Sequence, residues 1–216
     1  MPIALPEPVS LAVEALDLEV AITAAETQDA TAELPHEELF DVSTEDGVIQ
    51  IVQRERYWKS KFAKRTSFLS FGGPKIVISL PHDSFLDVLR VQTNSTCRLE
   101  GVRTTHADLA ATTGTIRCLN ASFTHAKVTA KSSSVKMVDS TVAEDATLTV
   151  TGGSVTTTGT FTEMPGYRIE DVSGKVQILD QPCEPGDSHN AKGQPSVLTK
   201  NNSNHPPTVM IPGTMP

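Results

Sequence analysis

Two histidines and two aspartates stand one repeat apart: Asp87, His106, His125 and Asp145 are separated by 19, 19 and 20 residues. Two imidazoles flanked by two carboxylates can hold a borderline divalent metal such as zinc. They can also titrate as a coupled set near neutral pH. Either chemistry needs the four side chains stacked on one edge of a sheet, each about 4.8 Å from the next. Duplication alone gives the same spacing, because repeats copy residues and turn positions suit Asp and His. The reading is therefore no metal and no cofactor, with the His/Asp ladder as an alternative. His36, His82, His189 and His205 show no such spacing.

A second candidate is the segment Arg54 to Phe71. It holds Arg54, Arg56, Lys59, Lys61, Lys64 and Arg65 together with Tyr57, Trp58, Phe62, Phe68 and Phe71, half of the ten aromatics in the chain. Bases interleaved with aromatics can dock on anionic lipid, on nucleic acid or on an acidic partner. The competing reading is a long hairpin or short helix folded onto the rest of the chain, its bases turned toward an acidic N-terminal third. The partner-binding candidates are Arg54, Arg56, Tyr57, Trp58, Lys59, Lys61, Phe62, Lys64 and Arg65.

Catalysis finds little support. There is no Gly-x-Ser-x-Gly elbow, phosphate loop or dinucleotide fingerprint. The carboxylate pairs Glu37/Glu38, Glu144/Asp145 and Glu170/Asp171 are sequence neighbours, so on a strand they point to opposite faces. A glycosidase site needs them to face each other. Cys97, Cys118 and Cys183 form no disulfide framework and no zinc spacing, and read as free thiols. The expectation is a protein without enzymatic activity.

The elements that must position these residues are strands. Thr105-His106-Ala107-Asp108-Leu109-Ala110-Ala111 recurs 19 residues later as Thr124-His125-Ala126-Lys127-Val128-Thr129-Ala130. Thr113-Gly114-Thr115-Ile116-Arg117-Cys118 recurs at the same offset as Ser132-Ser133-Ser134-Val135-Lys136-Met137, and Asn94 to Leu99 precedes it by 19. Later units, to about Leu179, drift to offsets of 20 and 21. A fixed period signals a solenoid. The spacing predicts a single-stranded β-helix of about 19 residues per coil, right-handed by expectation, with inward ladders Cys97, Ile116, Val135, Val155, Val176 and Leu109, Val128, Leu148, Ile169. These slots hold no Phe or Trp, as a narrow core requires. A hexapeptide-repeat acyltransferase is disfavoured, because the units do not divide into sixes.

Before the repeats, Leu16, Leu18, Val20 and Ile22 alternate with polar or small residues as a half-buried strand. Phe40 to Thr44 and Val48 to Val52 flank an Asp-Gly turn and read as a hairpin. Ile76, Ile78 and Leu80 share one face of a strand bounded by Pro74 and Pro81. The expected organisation is one continuous domain. Residues 1–86 form an N-terminal strand segment with its basic aromatic insert at 53–71. Residues 87–180 form the β-helix, and 181–216 a loop, a possible last coil and a tail. The N-terminal strands are expected to cap one end and residues 181–200 to lie near the other.

The Thr/Ser-Gly-x-Val/Ile turns and the segment Tyr167-Arg168-Ile169-Glu170-Asp171-Val172-Ser173-Gly174-Lys175-Val176 resemble the bacterial "putative adhesin" family of β-helical domains. The resemblance covers roughly 10–208. It implies an all-β solenoid and a binding role, and it brings no catalytic residues to carry over. Fold by itself does not assign function.

Composition agrees with strands. Thr occurs 26 times and Ser 18 times in 216 residues, and 18 of the Thr fall between positions 91 and 162. Thr has high β-propensity, and its hydroxyl can bond along a ladder. The net charge of −8 hides a segregation. Residues 1–52 carry twelve acids and no Lys or Arg, 53–71 carry +5, and the remainder −1. The acidic balance argues against nucleic acid as a partner. Met1 to Val20 shows no signal peptide and no stretch is long enough to span a membrane, so the expectation is cytoplasmic, with the cell surface by a non-standard route as the alternative. The leading function is a binding or scaffold protein that offers a rigid Thr/Ser-rich surface to a protein or glycan. Its oligomeric state is open. The alternatives are a self-assembling, bactofilin-like β-helix and a metal-binding one.

Overall fold

A computed structural model describes residues 2–7, 9–60 and 73–144 with their side chains, and beyond these the backbone of the strands named below. The chain is all-β, and its strands alternate between two large sheets. One sheet has ten strands and the other eleven.

The middle of the chain carries the repeat. Strands β8 (Leu86–Thr93), β10 (Arg103–Ala111), β12 (Ser122–Lys131) and β14 (Thr141–Thr151) lie side by side in the ten-stranded sheet. Strands β9 (Cys97–Glu100), β11 (Gly114–Leu119), β13 (Ser133–Val138) and β15 (Val155–Thr158) do so in the other. All these neighbours are parallel. Arg103 faces Ser122, Cys97 faces Ile116 and Ile116 faces Val135, so each residue meets its own equivalent in the next repeat. Inward residues alternate with outward ones. Cys97, Ile116 and Val135 are buried in one ladder and Leu99, Cys118 and Met137 in the next.

The chain turns between sheets at Gly101, Asn120 and Asp139, again one repeat apart, all with φ between 48° and 69°. Gly, Asn and Asp are the residue types that tolerate this left-handed region. Each corner places a small or branched side chain indoors: Val102, Ala121 and Ser140 are buried. The hydroxyl ladder is present as well. Thr115 and Ser134 share a hydrogen bond of 3.0 Å, and Thr141 donates to Ser122 at 3.0 Å. One expectation fails in the core. Phe123 is 1 % exposed and is among the largest buried side chains. It fits because the same slot one strand away holds the smaller, fully buried Thr104.

The N-terminal residues do more than cap. Strands β2 (Ser10–Ala15) and β3 (Glu19–Ala25) sit inside the stack. β2 lies between β8 and β6 (Val48–Gln53), and β3 between β9 and β7 (Lys75–Pro81), with parallel pairing on both sides. The end is closed outside them by antiparallel strands. These are β5 (Phe40–Glu45) on β6, and β4 (Thr31–Glu33) followed by β1 (Ile3–Ala4) on β7. Asp46 and Gly47 both have positive φ, the turn that an Asp-Gly hairpin needs.

The far end has the mirror arrangement. Strands β20 (Ser196–Lys200) and β21 (Val209–Ile211) insert between β14 and β16 (Gly166–Glu170) and between β15 and β17 (Val176–Ile178). The ladder expected to run Val155 to Val176 is therefore interrupted by Val209, and the one expected to run Leu148 to Ile169 passes instead through Val197 to Tyr167, while Ile169 faces Thr199. Antiparallel β18 (Gln181–Cys183) and β19 (Ser188–His189) close the two sheets there.

Candidate binding surface on the ten-stranded sheet

His106 and His125 face each other on β10 and β12, both outward, with ring centroids 4.6 Å apart and planes 7° from parallel. The other expected members are displaced. His106 pairs with Val88, because the β8–β10 register is one position shorter than the repeat, so Asp87 lies off the ladder and exposed. The irregularity between Phe123 and His125 brings Asp145 opposite His125 in the backbone. The side chain that reaches the imidazole is that of Glu144, with Oε2 3.4 Å from His125 Nε2.

Parallel rings at this spacing direct their nitrogen lone pairs side by side, not toward one point. A zinc ion would need two such nitrogens at about 2.0–2.1 Å, pointing at itself. Among the described residues no three His, Cys, Asp or Glu side chains gather as a metal site.

The neighbouring outward row is the part that sequence reading passed over. Arg90, Asp108 and Lys127 stand in register on β8, β10 and β12, a cation, an anion and a cation. Lys127 Nζ lies 3.7 Å from Asp108. Arg90 makes no hydrogen bond or ion pair with a described residue. The row continues through Ala12 to Gln50. Small side chains here leave shallow depressions. One of about 220 Å³ is lined by Ala12, Gln50, Arg90, Gln92, Asp108 and Ala110. A second of about 450 Å³ lies over His106, His125 and Lys127, and a third of about 320 Å³ over Ser10 and Val48. Arg90 borders all three. The signal was present in the sequence, since Asp108 and Lys127 are repeat equivalents, but Arg90 is one position out of period.

The basic aromatic segment divides. Gln53 to Ser60 is described, whereas Lys61, Phe62, Lys64 and Arg65 lie outside the described residues. Arg54 is used inside the fold: it donates to Glu38 O at 2.7 Å and its guanidinium lies 3.5 Å from Asp41. Tyr57 is 3 % exposed and stacks on His36, so it is a packing residue and not a partner contact. Asp17 fixes the turn. Its Oδ1 accepts from Gln53 Nε2 at 2.7 Å and from Tyr57 N at 3.0 Å, and its Oδ2 accepts from Trp58 N at 3.2 Å. Arg56, Trp58 and Lys59 remain exposed, Trp58 by half.

The two cysteines with described side chains are buried and unbonded. Burial pushes the Cys118 thiol up to about 12. Burial, then the charges of Cys118 and Glu19, hold Cys97 well above the usual range. They are core residues, not nucleophiles.

No helix among the described residues is long and apolar enough to cross a membrane. The chain is similar to the solved structure of a putative cell adhesion protein from Clostridium sporogenes ATCC 15579, with 13 % identity over 99 % of this chain and 98 % of that one and a TM-score of 0.48. It is also similar to that of a putative adhesin from Bacteroides fragilis NCTC 9343, with 8 % identity over 99 % and 97 % and a TM-score of 0.32. No curated protein matches it. The Toastrack DUF4097 family model matches residues 89–206, which takes in most of β8, the other stacked repeat strands and the inserted β20 but ends before β21, and by that match the chain belongs to the Toastrack DUF4097 family.

Proposed function

We propose that the chain is a non-enzymatic binding or scaffold protein: a β-solenoid with one sequence repeat per coil that presents the outward face of its ten-stranded sheet to a protein or glycan partner. The observation that carries this is the run of three contiguous depressions around Arg90. They are shallow and open, floored by small residues and edged by amide, guanidinium and carboxylate groups. Such a surface suits a chain-like ligand that stays in contact with water along its length. A closed reaction chamber is deep and excludes water.

The self-assembling alternative is opposed by the N-terminal end. There the edge strand β5 exposes Asp41 and Glu45, and charged side chains on an edge block strand addition. The metal-binding alternative is opposed by the parallel imidazoles.

The test is a panel of immobilised oligosaccharides and peptides probed with the intact protein. Arg90→Ala, and Ala12→Arg to fill the first depression, should each abolish a wild-type signal while leaving thermal unfolding close to normal. A panel with no binder, or binding indifferent to both substitutions, overturns the reading.

A further inference from the structure

The depression over Ser10 holds a polar group that the fold does not use. β2 turns Leu11 and Val13 inward, so Ser10, Ala12 and Glu14 point outward. Ser10 lies between Val48 and Val88 and is only 7 % exposed. Its backbone N–H donates to Gly47 O, but its hydroxyl makes no hydrogen bond with a described residue. Buried polar groups in folded proteins are nearly always bonded. A hydroxyl left over at the wall of an open depression is therefore a place for a ligand atom. Two residues on, Gln50 and Arg90 flank Ala12 from the strands on either side. Their side chains also make no hydrogen bond or ion pair with a described residue. All three polar groups border the same depression of about 320 Å³, and the half-buried Val48 and Val88 form its apolar walls.

Charge and shape narrow the ligand. Arg90 brings one positive charge. Asp108, beside it on β10, is held by Lys127 at 3.7 Å, and Glu14 borders the adjoining depression. A dianionic phosphate would meet these carboxylates. A single carboxylate matches the one guanidinium, which can hold it through two parallel hydrogen bonds. The Ser10 hydroxyl and the Gln50 amide supply neutral donors for further oxygens. The two valines call for an aliphatic group next to that carboxylate. A uronate presents its carboxylate among ring hydroxyls, which would lie against Val48 and Val88 without partners. The last residue of a polypeptide, when it is Val, Leu or Ile, joins a carboxylate and a branched apolar side chain closely enough to meet both features.

We infer that the depression at Ser10 captures the free C-terminus of a partner polypeptide ending in an aliphatic residue. The carboxylate sits on Arg90 and Ser10, the side chain lies against the valines, and the last peptide group meets Gln50. This rests on the reading of the ten-stranded sheet as a binding face, and it narrows the partner to a protein. The partner's preceding residues cross the two other depressions, which Arg90 also borders.

The test is an array of pentapeptides with free C-termini, differing in the last residue, beside the same array amidated, both probed with the intact protein. Binding to peptides ending in Val, Leu or Ile should fall about tenfold or more on amidation, and as much with Arg90→Gln, the usual loss for a hydrogen bond to a charged group. Ser10→Ala should weaken it roughly fivefold. That variant should unfold at the same or a higher temperature than wild type, because the hydroxyl has no protein partner. Lys136→Gln, exposed on the other sheet, should leave binding unchanged. N-acetylvaline should displace bound peptide and sodium glucuronate should not. Equal binding of amidated peptides, a preference for acidic or aromatic last residues, indifference to Ser10→Ala, equal displacement by glucuronate, or no peptide bound each overturns the inference. If oligosaccharides bind in an Arg90-dependent way while free C-termini do not, this inference alone falls. If neither binds, the reading of the face falls with it.

Discussion

The repeat strands and the N-terminal strands build the same cross-section by different means. Between β10 and β12 the neighbour in space is the next repeat in sequence. Between β2 and its partners it is not: Ser10 faces Val48 on one side and Val88 on the other, both several strands further along the chain. Both regions fill the interior with aliphatic side chains; Val20 and Ile22 of β3 continue the ladders of Cys97 and Leu99. A place in the stack therefore requires matching inward side chains and a free pair of strand edges, not periodicity. A strand in the middle of a sheet has its backbone groups paired on both sides, which is the gain from inserting β2 and β3 rather than leaving them outermost.

Deleting residues 2–27 gives the sharpest contrast. It removes the pair of strands that joins β6 and β7 to β8 and β9. The remaining chain should lose its single cooperative unfolding transition in circular dichroism; a retained sigmoidal transition would show that the repeat region stands alone. Next in size is Phe123→Ala within the repeat. An emptied slot above Thr104 should cost about 3–5 kcal/mol in urea titrations.

Asp17→Ala then probes the non-repeating side. Three donors, one of them the amide of the buried Gln53, lose a charged acceptor, at a cost of about 1.5–3 kcal/mol by the usual worth of a hydrogen bond to a charged group. Trp58 fluorescence should shift as its turn loosens. If stability is unchanged, the turn is held by Tyr57 packing alone.

The smallest effect at neutral pH, growing only in alkali, is a pH dependence confined to the repeat core. Cys97 and Cys118 have thiol pKa values raised in the folded state, so above the unfolded pKa of roughly 8.5 the unfolded chain holds fewer protons and stability must fall as pH rises. The slope should approach about 1.4 kcal/mol per pH unit per thiol, reaching that value above pH 9. Cys97→Ala with Cys118→Ala should flatten the curve. An equally steep curve in that variant would assign the alkaline loss to other groups.

Much of the molecule was legible in the chain. The repeat offset that aligns Ile116 with Val135 also aligns Asn120 with Asp139 at the corners, because stacked strands make identical demands on equivalent residues. The Asp46-Gly47 hairpin was legible for a local reason: only a few residue types adopt two successive positive φ values. The candidate surface was less legible. Asp87 lies off the ladder because one coil pairs a single position short of the repeat, and in a strand one position decides which neighbour a side chain meets. Arg90 escaped notice for the same reason. The burial of Tyr57 depends on Asp17, far earlier in the chain, and no local pattern announces that contact.

The sequence by itself determined that the chain is all-β and that its central strands stack in parallel. These follow from side-chain alternation and from steric limits on each residue's backbone, which are local properties. Only the tertiary structure decided the order of the stack. Both ends of the chain tuck one place inward, β2 and β3 at one end and β20 and β21 at the other, and antiparallel strands close the sheets beyond them. That order depends on which free edges meet once distant segments have folded, and strands of similar alternation compete for the same edge. It is also what brings Ala12 and Gln50 into line with Arg90, and so builds the candidate surface from segments far apart in the chain.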